Sequence, residues 1–131
     1  PFADNSIDVV FSSAVIEHIG NVAEQRQMIA ECLRVAKRGI FITTPNRWHP
    51  IEAHTLLPFI HWLPKKWHRV LLKCLGLTFY ADEQNLNLLD AKTLHRIACS
   101  LNHTATIRRI KTGGLTSNLI LIIKKSCSKF G

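Results

Sequence analysis

The chain has 131 residues, the usual size of one domain, and its 47% hydrophobic and 20% charged residues are typical of a globular rather than a disordered protein. The longest apolar region, residues 54–79, contains two prolines and three lysines and is therefore not expected to span a membrane. The four cysteines are Cys32, Cys74, Cys99 and Cys127. They lie far apart, without the spacing of zinc ligands or of a redox pair, so we predict free thiols and no metal site. No charged segment followed by an apolar one opens the chain, and a cytoplasmic location is expected.

The first predicted element is a strand from Ile7 to Ser12, whose unbroken apolar run is typical of a buried parallel strand. The next residues turn towards a helical pattern. Asn21 and Glu24 then have the chemistry of a capping box, which predicts a helix from Val22 to Ala36 that stops at Gly39.

A second β-branched run, Ile40 to Thr44, predicts another strand that ends at Pro45, because proline cannot donate to a central ladder. A strand, a helix and a strand with short connections form a right-handed βαβ unit, so these two strands should be parallel. The sequence therefore predicts the α/β class.

The remaining chain combines a long insertion with a regular ending. Short helices are predicted at residues 55–62 and 67–75, within the insertion of residues 47–89. Asp90 then caps a helix whose buried face carries Leu94, Ile97, Ala98 and Leu101. Two strands, Ala105 to Lys111 and Asn118 to Lys125, are joined through Gly113–Gly114 and should form an antiparallel hairpin.

Four segments of the first 46 residues follow one another in an order known from another group of proteins. They read PFADNSIDVV (1–10), SSAVIEH (12–18), ECLRVAKRG (31–39) and ITTPN (42–46). In order and spacing they resemble the second half of a class I S-adenosylmethionine-dependent methyltransferase of the small-molecule, type 11-like branch, with its LPF-x-D-x-S-F-D-x-V, EH, RVLKPGG and TPN patterns. The resemblance implies S-adenosylmethionine as cofactor and methyl transfer to a small acceptor.

The resemblance also implies the fold, which is the C-terminal half of a Rossmann-like sheet. Two parallel strands would be joined by an antiparallel C-terminal hairpin, in the order first, second, fourth, third, with helices on the faces. Residues 1–131 would be a single partial domain, divided into a strand–helix–strand unit (1–46), a substrate lid (47–89) and a helix with the β-hairpin (90–131).

The cofactor signature of that family is missing here. Neither its Gly-rich turn nor the acidic residue that holds the ribose is present, and the Gly113–Gly114 pair lies in another context. We therefore expect a chain that lacks the first three strands of the fold and is inactive by itself. Its first strand would lie at a sheet edge with unpaired backbone groups, which favours self-association.

The resemblance places the cofactor beside Ser12, Ser13 and Ala14, where small residues at a strand end allow close approach. An ordinary strand-to-helix turn is the alternative. Phe2 would lie near the adenine or else attach the loop to the core. His18 is the candidate general base, because an imidazole is largely neutral at neutral pH and can accept a proton; the alternative is a histidine hydrogen-bonded to the backbone.

The acceptor would be held after the second strand by six residues: Asn46, Arg47, Trp48, His49, Glu52 and His54. Residues 55–75 would cover it as an apolar, aromatic lid rimmed by basic side chains, suited to a lipophilic acceptor or an anionic membrane surface. Alternatively, the apolar residues of this segment form the buried side of a helical insert.

Two other function classes remain open, one because of the net charge of +8 and one because of the missing cofactor turn. Basic residues interleaved with aromatic ones suit a nucleic-acid-binding module, although no recognised nucleic-acid motif is present and no specific nucleic acid is expected. A non-catalytic, methyltransferase-like interaction domain would explain the missing cofactor turn. The basic clusters also suit a merely solvated surface.

Overall fold

The computed structural model describes residues 2–52 and 54–125. Its strands are β1 (Ile7–Ser13), β2 (Ala36–Pro45), β3 (Ala105–Thr112) and β4 (Leu115–Lys124). Its α-helices are α1 (Val22–Val35), α2 (Lys65–Cys74) and α3 (Ala91–Ser100), and single 3₁₀ turns lie at Ile16–His18, Ile60–Trp62 and Thr78–Ala81.

The four strands form one sheet in the order β1-β2-β4-β3. β1 is parallel to β2, whereas β4 is antiparallel to both β2 and β3. This confirms the predicted α/β class, the parallel pair, the C-terminal hairpin and the strand order. Because β1 lies at the sheet edge, one side of its backbone has no partner strand among the described residues.

The core lies on one face of the sheet. Alternate residues of β2 and β4 pack there against the apolar sides of α1 and α3, among them Ile42, Leu121, Ile29 and Leu94. The opposite face carries Phe11 against Phe41, with ring centroids 5.6 Å apart. Val9 is 53% exposed and Phe11 65% exposed, so the prediction of a buried first strand is wrong: both helices cover the other face.

Helix α1 begins as predicted and ends earlier than predicted. The Asn21 side chain accepts from the backbone of Glu24, whose carboxylate accepts from the backbone of Asn21, which confirms the capping box. The helix ends at Val35 rather than at Gly39, which lies inside β2 with φ +153°. A Cβ on Gly39 would lie 2.2 Å from the carbonyl oxygen of Ile123 in β4. Gly39 therefore permits close approach of two strands and does not stop the helix.

The predicted helix at residues 55–62 is wrong, because only its last three residues form a 3₁₀ turn. Leu56 and Phe59 have φ of +57° and +61°, and Pro58 disfavours the helical conformation at the residue before it. Helix α2 confirms the second predicted helix of the insertion, beginning two residues earlier at Lys65.

The C-terminal elements follow the prediction closely. The Asp90 side chain accepts from the backbone N–H of Thr93 at 2.7 Å and caps α3. Gly113 and Gly114, at φ +57° and +84°, form the two-residue turn between β3 and β4, and β4 begins at Leu115 rather than at Asn118.

The predicted free thiols are confirmed for Cys32, Cys74 and Cys99, and Cys127 lies outside the described residues. Across residues 2–52 and 54–125, the helices are all too short or too polar to cross a membrane.

Candidate functional site

The carboxyl ends of β1 and β2 lie side by side. Ser13 is opposite Thr43, with their hydroxyl oxygens 2.8 Å apart, and the Ala14 N–H donates to the Thr43 carbonyl at 3.0 Å. Ala14 has φ +51°, which turns the chain sharply after the strand. The segments that leave the two strands therefore start from the same edge, where ligands bind in open α/β sheets.

The segment after β1 brings a buried carboxylate to this edge. Glu17 is fully buried, and its Oε2 accepts a hydrogen bond from the Thr44 hydroxyl at 2.9 Å. Its Oε1 is buried without a hydrogen-bond partner among the described residues. Buried polar atoms nearly always have a partner, so this oxygen marks a place where another group can bind.

His18 is half-buried next to Glu17. Its Nδ1 lies 2.7 Å from the Asn85 carbonyl oxygen, which can only accept, so Nδ1 carries a hydrogen. In the neutral ring, Nε2 is then left with its lone pair. Nδ1 of His18 is therefore bonded to the backbone, as the alternative predicted. Nε2 has no hydrogen-bond partner among the described residues and can accept a proton.

His54 packs against His18 at nearly a right angle, with ring centroids 4.7 Å apart. Its Nδ1 lies 2.7 Å from Oε1 of Glu52, which is itself buried. Burial alone would raise the pKa of Glu52, but hydrogen bonds from His54 and from the backbone of Thr55 outweigh it, and the pKa lies below its ordinary value. Glu52 is therefore an ionised carboxylate that orients His54.

A mainly apolar cavity of about 210 Å³ lies where β2 ends and β4 begins. The predicted acceptor residues Asn46, His49 and Glu52 line it, together with Pro45, Ile51, His61, Leu88, Ser117 and Asn118. His61 is buried and donates from Nε2 to the His49 carbonyl at 2.7 Å. Burial lowers the pKa of His61, so its ring is neutral and the cavity wall carries little positive charge there.

Comparisons with known proteins show what the chain is similar to. A family model described as a methyltransferase domain matches residues 1–43. A probable S-adenosylmethionine-dependent methyltransferase of Mycolicibacterium smegmatis is 40% identical over 63 residues, which are 45% of this chain and 23% of that protein. Residues 1–43 are therefore similar to a methyltransferase domain, as the sequence motifs predicted.

Two solved structures show the same fold. S-adenosylmethionine-dependent methyltransferases from Archaeoglobus fulgidus and Methanosarcina mazei superpose with TM-scores of 0.54 and 0.52, at 16% and 15% identity. Each match covers 95% of this chain, but only 62% and 61% of the respective structure. The chain thus spans less than two thirds of these methyltransferases and less than a quarter of the curated relative. The curated relative and both solved structures are described as S-adenosylmethionine-dependent.

The residues predicted to hold the acceptor do not form a single group in the structure. His54 lies beside His18, whereas Trp48 turns away and donates from Nε1 to Asp90 at 3.3 Å. Arg47 lies over the Trp48 ring and lines a separate small pocket with Lys65 and Tyr80. The structure therefore brings Asn46, His49, Glu52 and His54 towards one site and places Arg47 and Trp48 outside it.

The residues predicted to bind the cofactor lie at an accessible strand end. Ser13 and Ala14 are exposed and Ser12 is half-buried at the end of β1. The Phe2 side chain is 62% exposed, and its carbonyl accepts a hydrogen bond from Arg34 at 2.8 Å. The alternative that Phe2 attaches the loop to the core is therefore wrong, because the ring faces solvent and only the Phe2 backbone contacts Arg34.

Thr44 and Asn85 hold Glu17 and His18 in place, and neither was predicted from the sequence. Thr44 ends a strand motif and Asn85 lies in the insertion, and no sequence pattern links either to His18 or Glu17. The interpretation of the insertion as mainly core is also wrong for most of its apolar residues: Leu56, Phe59, Trp62 and Leu63 are exposed.

Proposed function

We propose that this chain forms the acceptor side of an enzyme that transfers a methyl group from S-adenosylmethionine to a small acceptor. The observation that carries this proposal is the open Nε2 of His18, beside the end of β1 and linked through His54 and Glu52 to the cavity. A donor at the strand end and an acceptor at the cavity would meet at this histidine.

The proposed reaction is an in-line displacement at the methyl carbon of the sulfonium. The carbon–sulfur bond breaks as the acceptor oxygen or nitrogen forms a bond to the methyl group, and the acceptor's proton passes to Nε2 of His18. The protein has to hold donor and acceptor in line and to remove that proton. His18 is suited to the second task because its other nitrogen is fixed by the Asn85 carbonyl.

The donor side of the proposal rests on Ser12, Ser13 and Ala14, with Phe2 near the adenine. Short side chains and an exposed backbone at a strand end fit the methionyl part of S-adenosylmethionine. We propose that the Gly-rich turn and the ribose-binding carboxylate belong to strands outside these 131 residues. The partial coverage of the two solved methyltransferases and the free edge of β1 support this.

The same free edge supports a second part of the proposal, which is self-association of the isolated chain. Val9 and Phe11 are exposed beside unpaired backbone groups of β1, and such an edge accepts another strand. Sedimentation of the isolated chain should show dimers at micromolar concentration, whereas a strictly monomeric chain would contradict the proposal.

The insertion supports a lipophilic acceptor taken up at an anionic membrane surface. Phe59, Trp62 and Trp67 are exposed, and the Phe59 and Trp62 rings lie 5.0 Å apart. Lys66 is exposed close to them in the sequence and would face anionic headgroups, whereas Lys65 is held by Glu83 and Asn87. Flotation with vesicles that contain phosphatidylserine should retain the protein, and Trp62→Ala together with Trp67→Ala should release it. If neutral vesicles retained the protein equally well, the proposed attraction between its basic side chains and anionic headgroups would be wrong.

Titration with S-adenosylmethionine tests the main proposal. The complete polypeptide encoded by the gene should bind the cofactor, and the 131-residue chain alone should bind little or none. In the complete polypeptide, Ser13→Trp should block the strand end and abolish binding. The matched control is Thr112→Trp, which places the same side chain at an exposed strand end of the hairpin. Equal binding by the two variants, or tight binding by the isolated chain, would contradict the proposed donor site.

A further inference from the structure

Glu17, His18 and His54 form a compact group of candidate metal ligands. One ligand atom from each lies within 4.8 Å of the other two. Metal–nitrogen and metal–oxygen bonds of about 2.0–2.2 Å are typical of zinc, so small side-chain rotations would bring all three atoms to one ion. The sequence expectation of no metal site rests on cysteine spacing, and this group contains no cysteine.

Both histidines are held in the form that binds a metal. Nδ1 of His18 contacts the Asn85 carbonyl and Nδ1 of His54 contacts the Glu52 carboxylate, each at 2.7 Å. These contacts place the hydrogens on Nδ1 and leave both Nε2 atoms as acceptors in the neutral rings. A histidine that ligates a metal almost always donates its other N–H to a carbonyl or carboxylate in this way.

The third ligand supplies an independent observation. Glu17 is fully buried, and its Oε1 has no hydrogen-bond partner among the described residues, while Oε2 accepts from Thr44. An unpaired buried carboxylate is costly, so burial of Glu17 calls for a positive charge beside Oε1. A divalent ion between Oε1 and the two imidazoles supplies that charge.

We propose that Glu17, His18 and His54 bind a divalent transition-metal ion of the zinc type. Two imidazole nitrogens and one carboxylate oxygen suit zinc, whereas Mg²⁺ and Ca²⁺ prefer oxygen ligands throughout. Three protein ligands leave at least one position of a four-coordinate ion open. His18 and His54 are only half-buried, so that position is reachable from solvent.

The proposed ion binding does not depend on the proposed methyl transfer. The effect of the ion on the acceptor's proton, described next, does rest on the proposed methyl transfer. The Nε2 lone pair of His18 cannot bind the ion and remove a proton at the same time. With the ion in place, an acceptor hydroxyl at the open position would lose its proton more readily, because a bound zinc ion lowers the pKa of its oxygen ligands. His54 would then be as important for turnover as His18, whereas proton removal by His18 alone makes His54 secondary.

Zinc affinity of the 131-residue chain, measured by competition with a chromophoric chelator, tests the binding. His18→Gln and His54→Gln should each weaken zinc binding by at least the roughly 10- to 100-fold that loss of an outer-shell partner costs. His103→Gln is the matched control, because it removes a half-buried histidine outside the group and should leave the affinity unchanged. Circular dichroism confirms that the variants are folded. Equal zinc affinity of all three variants would overturn the proposal.

A second measurement needs no variant. Co²⁺ added to the wild-type chain should give the weak visible bands of nitrogen and oxygen ligation, and Zn²⁺ but not Mg²⁺ should displace it. Intense thiolate-to-cobalt bands would assign the ion to a cysteine and overturn the proposal. S-adenosylmethionine binding is measured separately. A chain that fails to bind zinc would therefore overturn the metal site but not the proposed methyl transfer, and a complete polypeptide that fails to bind S-adenosylmethionine would overturn the methyl transfer but not the metal site.

Discussion

Replacement of Gly39 by alanine tests whether this glycine ends a helix or allows the close approach of β2 and β4. If Gly39 ended a helix, alanine would cost only the strain of a positive φ. In the structure, its Cβ would also lie 2.2 Å from the Ile123 carbonyl oxygen, so β2 and β4 must move apart. Gly76 is the matched control, because it lies just after α2 with φ +76° and has nothing within 4 Å of an added Cβ.

The magnitudes follow from these two environments. Gly76→Ala should lower the free energy of unfolding by about 1–2 kcal/mol, the cost of a left-handed conformation with a side chain. Gly39→Ala should cause a similar backbone strain and, in addition, break one or two hydrogen bonds between β2 and β4. The two effects together should lower the free energy of unfolding by about 2–5 kcal/mol. The total stability of a domain is only about 5–15 kcal/mol, so the difference is measurable. Urea denaturation followed by circular dichroism is the assay, and equal losses for the two variants would refute the close approach of β2 and β4.

Three further predictions concern the site and the cap of α3. If the proposed methyl transfer holds, His18→Ala in the complete polypeptide should lower kcat while the affinity for S-adenosylmethionine stays nearly unchanged, and unchanged turnover would assign His18 a purely structural role. Trp62→Ala or Phe59→Ala should raise the KM of a lipophilic acceptor more than that of the donor; equal effects on both, with lost stability, would indicate a packing role. Asp90→Ala should cost about 1 kcal/mol near neutral pH, as loss of an N-cap does. Burial would raise the pKa of Asp90, but the hydrogen bonds from Thr93 and Trp48 lower it below its ordinary value of 3.8. The stabilisation is therefore fully present above that value and disappears as the pH falls through the lower folded pKa, so acid titration of the difference in stability checks it.

Much of the fold could be predicted because its signals are local. A capping box needs only Asn21 and Glu24, and a hairpin turn needs only two glycines with positive φ. The predictions failed where a local signal had a different tertiary cause. Gly39 follows a helical pattern closely enough to suggest a C-terminal stop, yet its conformation serves the packing of two strands.

The sequence by itself predicted the four strands and three α-helices in their order, the strand order of the sheet and a resemblance to class I methyltransferases. These depend on hydrophobic periodicity, on caps and turns, and on motifs within the first 46 residues. It also predicted His18, His54 and Glu52 as candidate site residues, but not how they contact one another. Only the tertiary structure placed Thr44 on Glu17, 27 residues away, and the Asn85 carbonyl on His18, 67 residues away. It also decided that the first strand and the aromatic insertion are exposed. The physical reason is that such contacts and exposures depend on the path of irregular segments, whose residues carry no periodicity, so only the packed chain brings their partners together.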